Sequence, residues 1–194
     1  ISVLIQSYEW EDAQKAMDKF RKLPVSQSAI DKAAGDLYAK QNRHQEAQVY
    51  YKKAMLRESI DPDVYIAYAK SLMATKNFKE APFFFALAQR FDPLNLDAVM
   101  GSAQAIANSE SIEAGIRMLQ DLLQKGGFPV AEIQAGIAEL LIQKGEWSAA
   151  QRMIDDARRS NPDYAQPWKL QAQIYMNQEG QDKKALDRAL EAYK

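Results

Sequence analysis

A pattern that recurs about every 34 residues is the feature that most restricts the fold of this chain. Its clearest copy lies at 62–95, where apolar residues at helical spacing define one predicted helix and a second predicted helix follows a turn at 75–77. The second helix is predicted to end before Pro93, because the residue that precedes a proline avoids the α region. Neither helix can bury its apolar face alone, so each helix pair needs neighbours of the same kind.

The same spacing can be followed in both directions along the chain. The positions in register with Ala69, Ala81 and Phe85 are Gly35, Ala47 and Tyr51 upstream and Ala103, Gly115 and Leu119 downstream. The pattern predicts one continuous array of about six repeats over 1–194, at 1–25 (a truncated first repeat), 26–61, 62–95, 96–129, 130–163 and 164–194. A fixed period of this size is typical of repeat proteins, in which each repeat packs on its neighbours.

The spacing resembles that of the tetratricopeptide repeat, with its pattern W-x2-L-G-x2-Y, A-x3-F and P. Ala81 and Phe85 give the A-x3-F pair, Ala69 stands at the small position and Pro93 closes the repeat. The fourth repeat departs most from the pattern, since Gly115 replaces the alanine. The resemblance covers essentially the whole chain and implies an all-α fold, a right-handed superhelical solenoid of antiparallel helix pairs.

The pattern also predicts where the helices begin and end. Ser26 or Ser28 is expected to cap the helix that follows it. Pro82 either lies in the first turn of a helix that begins later than 77 or kinks a helix that has already begun. Helices are predicted at 9–22, 26–41, 43–58, 62–75, 77–91, 96–108, 110–125, 130–144, 147–160, 164–177 and 181–194.

Composition narrows the functional classes. The chain is 47% hydrophobic and 26% charged with a net charge of −1, so nothing in its overall charge favours nucleic acid or an anionic membrane. It has no cysteine, which excludes disulfides and thiol catalysis. No apolar run approaches membrane-spanning length, so a soluble cytoplasmic or periplasmic segment without direct membrane insertion is expected. The chain begins at Ile1 without a signal peptide, and we interpret it as a fragment of a longer protein.

Catalytic chemistry has little support in the sequence. His44 is the one histidine, and no nucleophile is placed to pair with it, so a solvated turn residue is expected. Asp155 and Asp156 are adjacent on a predicted helix and point apart. The sequence has no phosphate-binding glycine loop and no metal-ligand motif. These observations predict a protein that is not an enzyme and that binds no cofactor and no metal.

In proteins of the family that this chain resembles, the first helix of each repeat lines a concave groove that holds an extended peptide or a helix. Within this groove Ile66, Met73, Met100 and Ile142 are expected to form an apolar floor, with Met73 facing solvent. Members that bind chaperone tails carry a carboxylate clamp, and Asp36 stands where the clamp has Asn, which argues against that role. The groove positions implied by the resemblance are Lys32, Asp36, Lys40, Ile66, Lys70, Met73, Met100, Gln104, Glu139, Ile142, Lys169, Gln173 and Met176.

The predicted function is therefore a protein–protein interaction module or assembly scaffold that binds a partner peptide or helix. By family analogy a bacterial protein of envelope or appendage assembly is favoured. One alternative is the regulatory or recruiting arm of a multidomain enzyme, and another is a scaffold that assembles into a homo-oligomer. Val49 and Phe83 occupy positions that are charged in most other repeats, so they form an outer apolar patch or are buried around Pro82.

Overall fold

A computed structural model describes residues 10–22, 25–57 and 60–178, and the described residues form ten α-helices without a strand. The all-α repeat fold predicted from the sequence is confirmed. The predicted helix at 181–194 and the beginning of the truncated first repeat, 1–9, lie outside the described residues. The helices are α1 Trp10–Phe20, α2 Gln27–Lys40, α3 His44–Arg57, α4 Pro62–Ala74, α5 Ala81–Phe91, α6 Leu96–Ser109, α7 Ile112–Lys125, α8 Val130–Lys144, α9 Trp147–Ser160 and α10 Ala165–Gln178.

Side-chain caps begin several of these helices. The Ser26 hydroxyl accepts a hydrogen bond from the Ala29 amide at 3.1 Å, so Ser26 and not Ser28 caps α2. Ser111 caps α7 in the same way through the Ala114 amide. Pro82 lies in the first turn of α5, which begins at Ala81, and residues 78–80 form a turn. The first-turn interpretation of this proline is therefore confirmed. Proline is tolerated there because a residue at the start of a helix has no intrahelical hydrogen bond to lose.

Packing divides the chain into two compact units at the junction of Ala105 and Ile106, within α6. In the N-terminal unit the core is built around three buried rings, Tyr51 on α3, Tyr68 on α4 and Phe85 on α5. Small residues let these rings approach the neighbouring backbone. A Cβ built on Gly35 would lie 2.5 Å from Tyr51 Cε1, which no real side chain tolerates, so the predicted small position at 35 is a close helix contact.

The C-terminal unit buries aliphatic side chains in place of rings. Ile133 and Ile137 of α8 and Ile154 of α9 are fully buried. Helix α8 packs against α7, α9 and α10. Two side-chain amides, one buried and one half-buried, join α9 to α10: Gln151 Nε2 donates to Gln171 Oε1 at 2.5 Å, and Gln171 Nε2 donates to Gln151 Oε1 at 2.6 Å. A reciprocal pair of this kind satisfies polar groups that would otherwise destabilise the interior.

Candidate partner-binding surfaces

In the N-terminal unit, the predicted groove residue Asp36 has polar contacts with side chains of two helices. Lys32 Nζ lies 3.0 Å from Asp36 Oδ2, one helical turn away on α2. The Tyr51 hydroxyl of α3 donates to Asp36 Oδ1 at 2.8 Å. Burial raises the pKa of Tyr51 well above its usual value, and the Asp36 charge and hydrogen bond add to this effect. Asp36 therefore presents a carboxylate whose direction is fixed from two helices.

The predicted groove residue Lys70 contacts the first helix of the next repeat. Lys70 Nζ of α4 lies 2.6 Å from Asp97 Oδ2 of α6, and both side chains are more than half exposed. An exposed ion pair of this kind contributes little to stability, roughly 0–1 kcal/mol. Its value here is geometric, because it places the exposed sides of two consecutive first helices on one face. Lys40 at the end of α2 is exposed, and Gln104 of α6 is half-buried.

The predicted apolar floor is less accessible than expected. Ile66 and Ile142 are each only 6% exposed and so offer little surface to a partner. Met73 and Met100 are half-buried, and Met73 packs against the core around Tyr68. This differs from the expectation that Met73 faces solvent. The physical reason is that α4 is flanked by α3 and α5, so its long flexible side chains lie along the core surface.

In the C-terminal unit the predicted groove residues lie at the surface of α8 and α10. Glu139, Lys169, Gln173 and Met176 are all exposed. Gln143 Nε2 of α8 donates to Asn108 Oδ1 of α6 at 3.4 Å, which again joins first helices of successive repeats.

Tyr164, in the loop before α10, is a residue that the sequence reasoning missed. Burial raises the pKa of Tyr164, and the charges of Glu132 and Glu139 on α8 raise it further. The phenol therefore lies in an acidic environment near α8. An aromatic residue just before a first helix was the signal that could have indicated it.

The proposed outer patch is exposed. Val49 of α3 is 51% exposed and Phe83 of α5 is 62% exposed. The Phe83 ring packs edge-on against Phe84, with ring centroids 5.1 Å apart. Leu56 of α3, which the sequence reasoning did not single out, is 88% exposed.

A cleft at the end of α9 is lined by charged side chains and the ring of Trp168. The guanidinium carbon of Arg158 lies 3.5 Å from the centroid of the Trp168 ring, a stacked cation–π arrangement. Arg158 also lies 3.9 Å from Asp155, and Arg159 forms an ion pair with Asp156. The cations of this cleft are thus neutralised by neighbouring acids, which leaves little attraction for an anion.

The described residues contain no group of three or more candidate metal ligands. None of the helices seen in the described part has the length and apolar character needed to cross a membrane. His44 begins α3 and is half-buried, with a buried Nδ1 that has no hydrogen-bond partner, so the expectation of a solvated turn residue was wrong.

Comparison with known proteins shows which proteins this chain resembles in sequence and in fold. Residues 130–174 match the family model of the tetratricopeptide repeat. No curated protein matches the chain in sequence. The solved structure of PilF from Pseudomonas aeruginosa is similar over 96% of this chain and 83% of its own length, with 15% identity and a TM-score of 0.66.

Two further solved structures are also similar to this chain. A tetratricopeptide repeat protein from Parabacteroides merdae is similar over 98% of this chain and 73% of its own, with 14% identity and a TM-score of 0.65. YrrB, described as a TPR protein with an unusual peptide-binding site, is similar over 93% of this chain and 91% of its own, with 18% identity and a TM-score of 0.52. The resemblance inferred from the sequence is therefore confirmed: residues 130–174 match the tetratricopeptide repeat model, and the chain has the fold of tetratricopeptide repeat proteins.

Proposed function

We propose that the chain is a protein-binding module of an assembly scaffold, and that the first-helix face of the N-terminal unit holds a peptide or helix of the partner. The fold supports the general role, because tetratricopeptide repeat proteins are typically non-catalytic scaffolds. The peptide-binding site attributed to YrrB supports a peptide ligand. The observation that carries the proposal is the contact of Lys70 with Asp97, which unites the exposed sides of α4 and α6.

The chemistry of this face suits a mixed ligand. Met73 and Met100 are half-buried and polarisable, so each can offer part of an adaptable side chain to an apolar anchor. Lys32, Asp36 and Lys70 surround them with charges of both signs. In such an interface the apolar anchors supply most of the affinity, while the surrounding charges set the register and the rate of association.

The partner can be identified by site-specific photo-cross-linking in cells of the source organism. A photo-reactive amino acid at Met100 should give a cross-linked protein that the same group at Gln120, an exposed position on α7, does not. Equal cross-linking at both positions would indicate non-specific contact.

Affinity of the identified partner then tests the face itself. Lys70→Glu should weaken binding by about tenfold or more, the scale of a moderately important interface residue. Because Lys70 is exposed, the thermal midpoint of the Lys70→Glu variant should stay within about 2 °C of the wild-type value, as expected for a surface substitution. Arg117→Glu makes the same charge change on the exposed side of α7 and should leave the affinity unchanged. If Lys70→Glu and Arg117→Glu bind equally well, the partner does not use this face.

A further inference from the structure

We infer that a second surface of the N-terminal unit, formed by α3 and α5, binds an acidic amphipathic helix of a partner protein. This surface, called here the α3–α5 face, is made of Val49, Lys52, Lys53, Leu56, Phe83 and Arg90. It lies on the second helices of two successive repeats and shares no residue with the face proposed above. It therefore adds a separate recognition site to the scaffold.

Exposed apolar area is the first observation. Val49, Leu56 and Phe83 are 51%, 88% and 62% exposed. Val49 and Leu56 are seven residues apart on α3, which places them on the same side of the helix. Single exposed apolar residues are ordinary, but several on one face are typical of an interaction site.

A continuous set of contacts joins α3 to α5 beneath this apolar area. Lys52 Nζ of α3 lies 5.5 Å from the centroid of the Tyr68 ring, and Tyr68 is buried on α4. The Tyr68 ring meets the Phe84 ring edge-on at 4.6 Å, and Phe84 meets Phe83 at 5.1 Å. Since an α-helix with its side chains is about 10–12 Å across, one helix can contact both Lys52 and Phe83.

Charge is the second observation. Between Ala47 and Arg57, and again between Ala81 and Phe91, the chain has four cations and no Asp or Glu, although its net charge is −1. Arg57 is neutralised by Asp31 of α2, at 2.9 Å. The four cations are Lys52, Lys53, Arg57 and Arg90.

The two lysines are held over aromatic rings. Lys53 Nζ lies 4.8 Å from the centroid of the Tyr50 ring, and Lys52 Nζ lies 5.5 Å from that of Tyr68. A ring face attracts a cation but carries no net charge to neutralise it. The acid nearest in sequence on α3 is Glu46, whose pKa is lowered by a hydrogen bond from Arg43 and which is thus already paired. The α3–α5 face therefore keeps a positive charge.

The corresponding helices of the C-terminal unit show that this is not a general property of the repeat. Arg117 and Arg152 stand in the position of Phe83 on α7 and α9. On α9 the arginines near the end are paired with Asp155 and Asp156. Acidic and basic side chains both occur along α7 and α9, whereas the one acid on α3 and α5 is Glu46 in the first turn of α3, which is paired with Arg43.

An acidic amphipathic helix supplies the two complements at once. Its apolar side chains at i, i+4 and i+7 can pack against Val49, Leu56 and Phe83, and glutamates between them can reach the two ammonium groups. A lipid surface fits less well, because the ammonium groups of Lys52 and Lys53 lie over ring faces of the protein itself. A net charge of −1 also gives the chain no general attraction to anionic lipid.

The probe is a synthetic peptide helix with leucine and phenylalanine on one side and glutamate on both flanks, compared with the same peptide in which every glutamate is lysine. Fluorescence anisotropy with the full chain should show binding of the glutamate peptide that weakens with added salt, and at least tenfold weaker binding of the lysine peptide. Lys52→Glu and Phe83→Ser should each weaken the glutamate peptide by about tenfold or more. Arg117→Glu, on α7 of the C-terminal unit, should have no effect.

Three results would overturn the inference. Equal binding of both peptides, or binding that neither Lys52→Glu nor Phe83→Ser weakens, would exclude charge-directed recognition by this face. Binding to phosphatidylglycerol vesicles that Phe83→Ser abolishes, without binding of the peptide, would assign the face to a membrane. A doubled mass in light scattering that Phe83→Ser returns to monomer would mean that a second copy of the chain covers it. Because Lys52 and Phe83 are exposed, circular dichroism should show every variant folded.

Discussion

One turn position carries a left-handed residue in three repeats. Asn42 has φ 59°, Lys76 has φ 62° and Gly145 has φ 84°, each just after a first helix. A left-handed backbone brings Cβ close to the following carbonyl oxygen, at a cost that glycine avoids and asparagine partly offsets. Lys76 is thus the least suitable of the three residues for this turn.

We expect Lys76→Gly to raise the free energy of unfolding by about 0.5–1 kcal/mol, since relief of the left-handed strain exceeds the entropy that glycine adds to the unfolded chain. Urea unfolding at neutral pH measures the change. Asn42→Gly should raise the free energy of unfolding by less than Lys76→Gly does, and Gly145→Ala should lower it. A decrease for Lys76→Gly would show that its side chain contributes more than its backbone costs.

At the scale of the element, the Tyr51 side chain makes two kinds of contact between α3 and α2. Gly35 leaves room for the Tyr51 ring against the α2 backbone, and the ring then carries its hydroxyl to Asp36. The same device recurs between repeats, where a Cβ built on Gly101 of α6 would lie 2.3 Å from the Phe85 ring of α5. Glycine here serves close packing and not a special backbone angle.

Tyr51→Phe should change how stability depends on pH. The folded-state pKa of Tyr51 is raised above the unfolded value of about 10, so the folded state holds the proton longer. Its contribution is present below pH 10 and is lost as the pH rises beyond 10. The variant should lose about 1 kcal/mol at neutral pH with its hydrogen bond, and its stability should decline less steeply above pH 10.

Urea unfolding between pH 7 and pH 11 tests this, with Tyr50→Phe on the same helix as the matched control. Parallel curves for wild type and Tyr51→Phe would contradict it. The comparison of variants removes the effect of the lysines, which also titrate in this range.

Much of the structure within one helix pair could be predicted from the sequence, because helix spacing and helix capping depend on nearby residues. The Ser26 cap, the first-turn Pro82 and the close contact at Gly35 all follow from neighbouring residues. The contact of Gly101 with Phe85 could not be predicted in this way, since it depends on how one repeat packs on the next. Leu56 was also missed, because exposure is set by neighbouring helices and not by the residue itself.

At the scale of the whole molecule, the first helices of the repeats bury more residues than the second helices, and the inner helices α4 and α8 bury the most. Helix α4 packs between α3 and α5, and helix α8 packs against α7, α9 and α10. This explains why Ile66 and Ile142, which the repeat register assigned to the groove, are buried. Register along one helix indicates a face, but the width of the exposed strip on that face depends on both flanking helices.

Hydrogen exchange should reveal the same arrangement. Seven residues of α4 and eight of α8 are buried, whereas α3 and α9 each bury three. An amide in an inner helix exchanges only when its packing on both sides is lost, while an outer helix can open from one side. We therefore expect the amides of α4 and α8 to exchange about tenfold or more slowly than those of α3 and α9.

Native-state exchange followed by mass spectrometry, with peptides covering each helix, measures this. Met73→Ala offers an internal control, because Met73 packs against the core of the N-terminal unit: protection should fall in α4 and stay unchanged in α9. Equal protection in inner and outer helices would mean that each unit opens only as a whole. A graded pattern would instead mean that the second helices, including the α3–α5 face, can open while the inner helices remain folded.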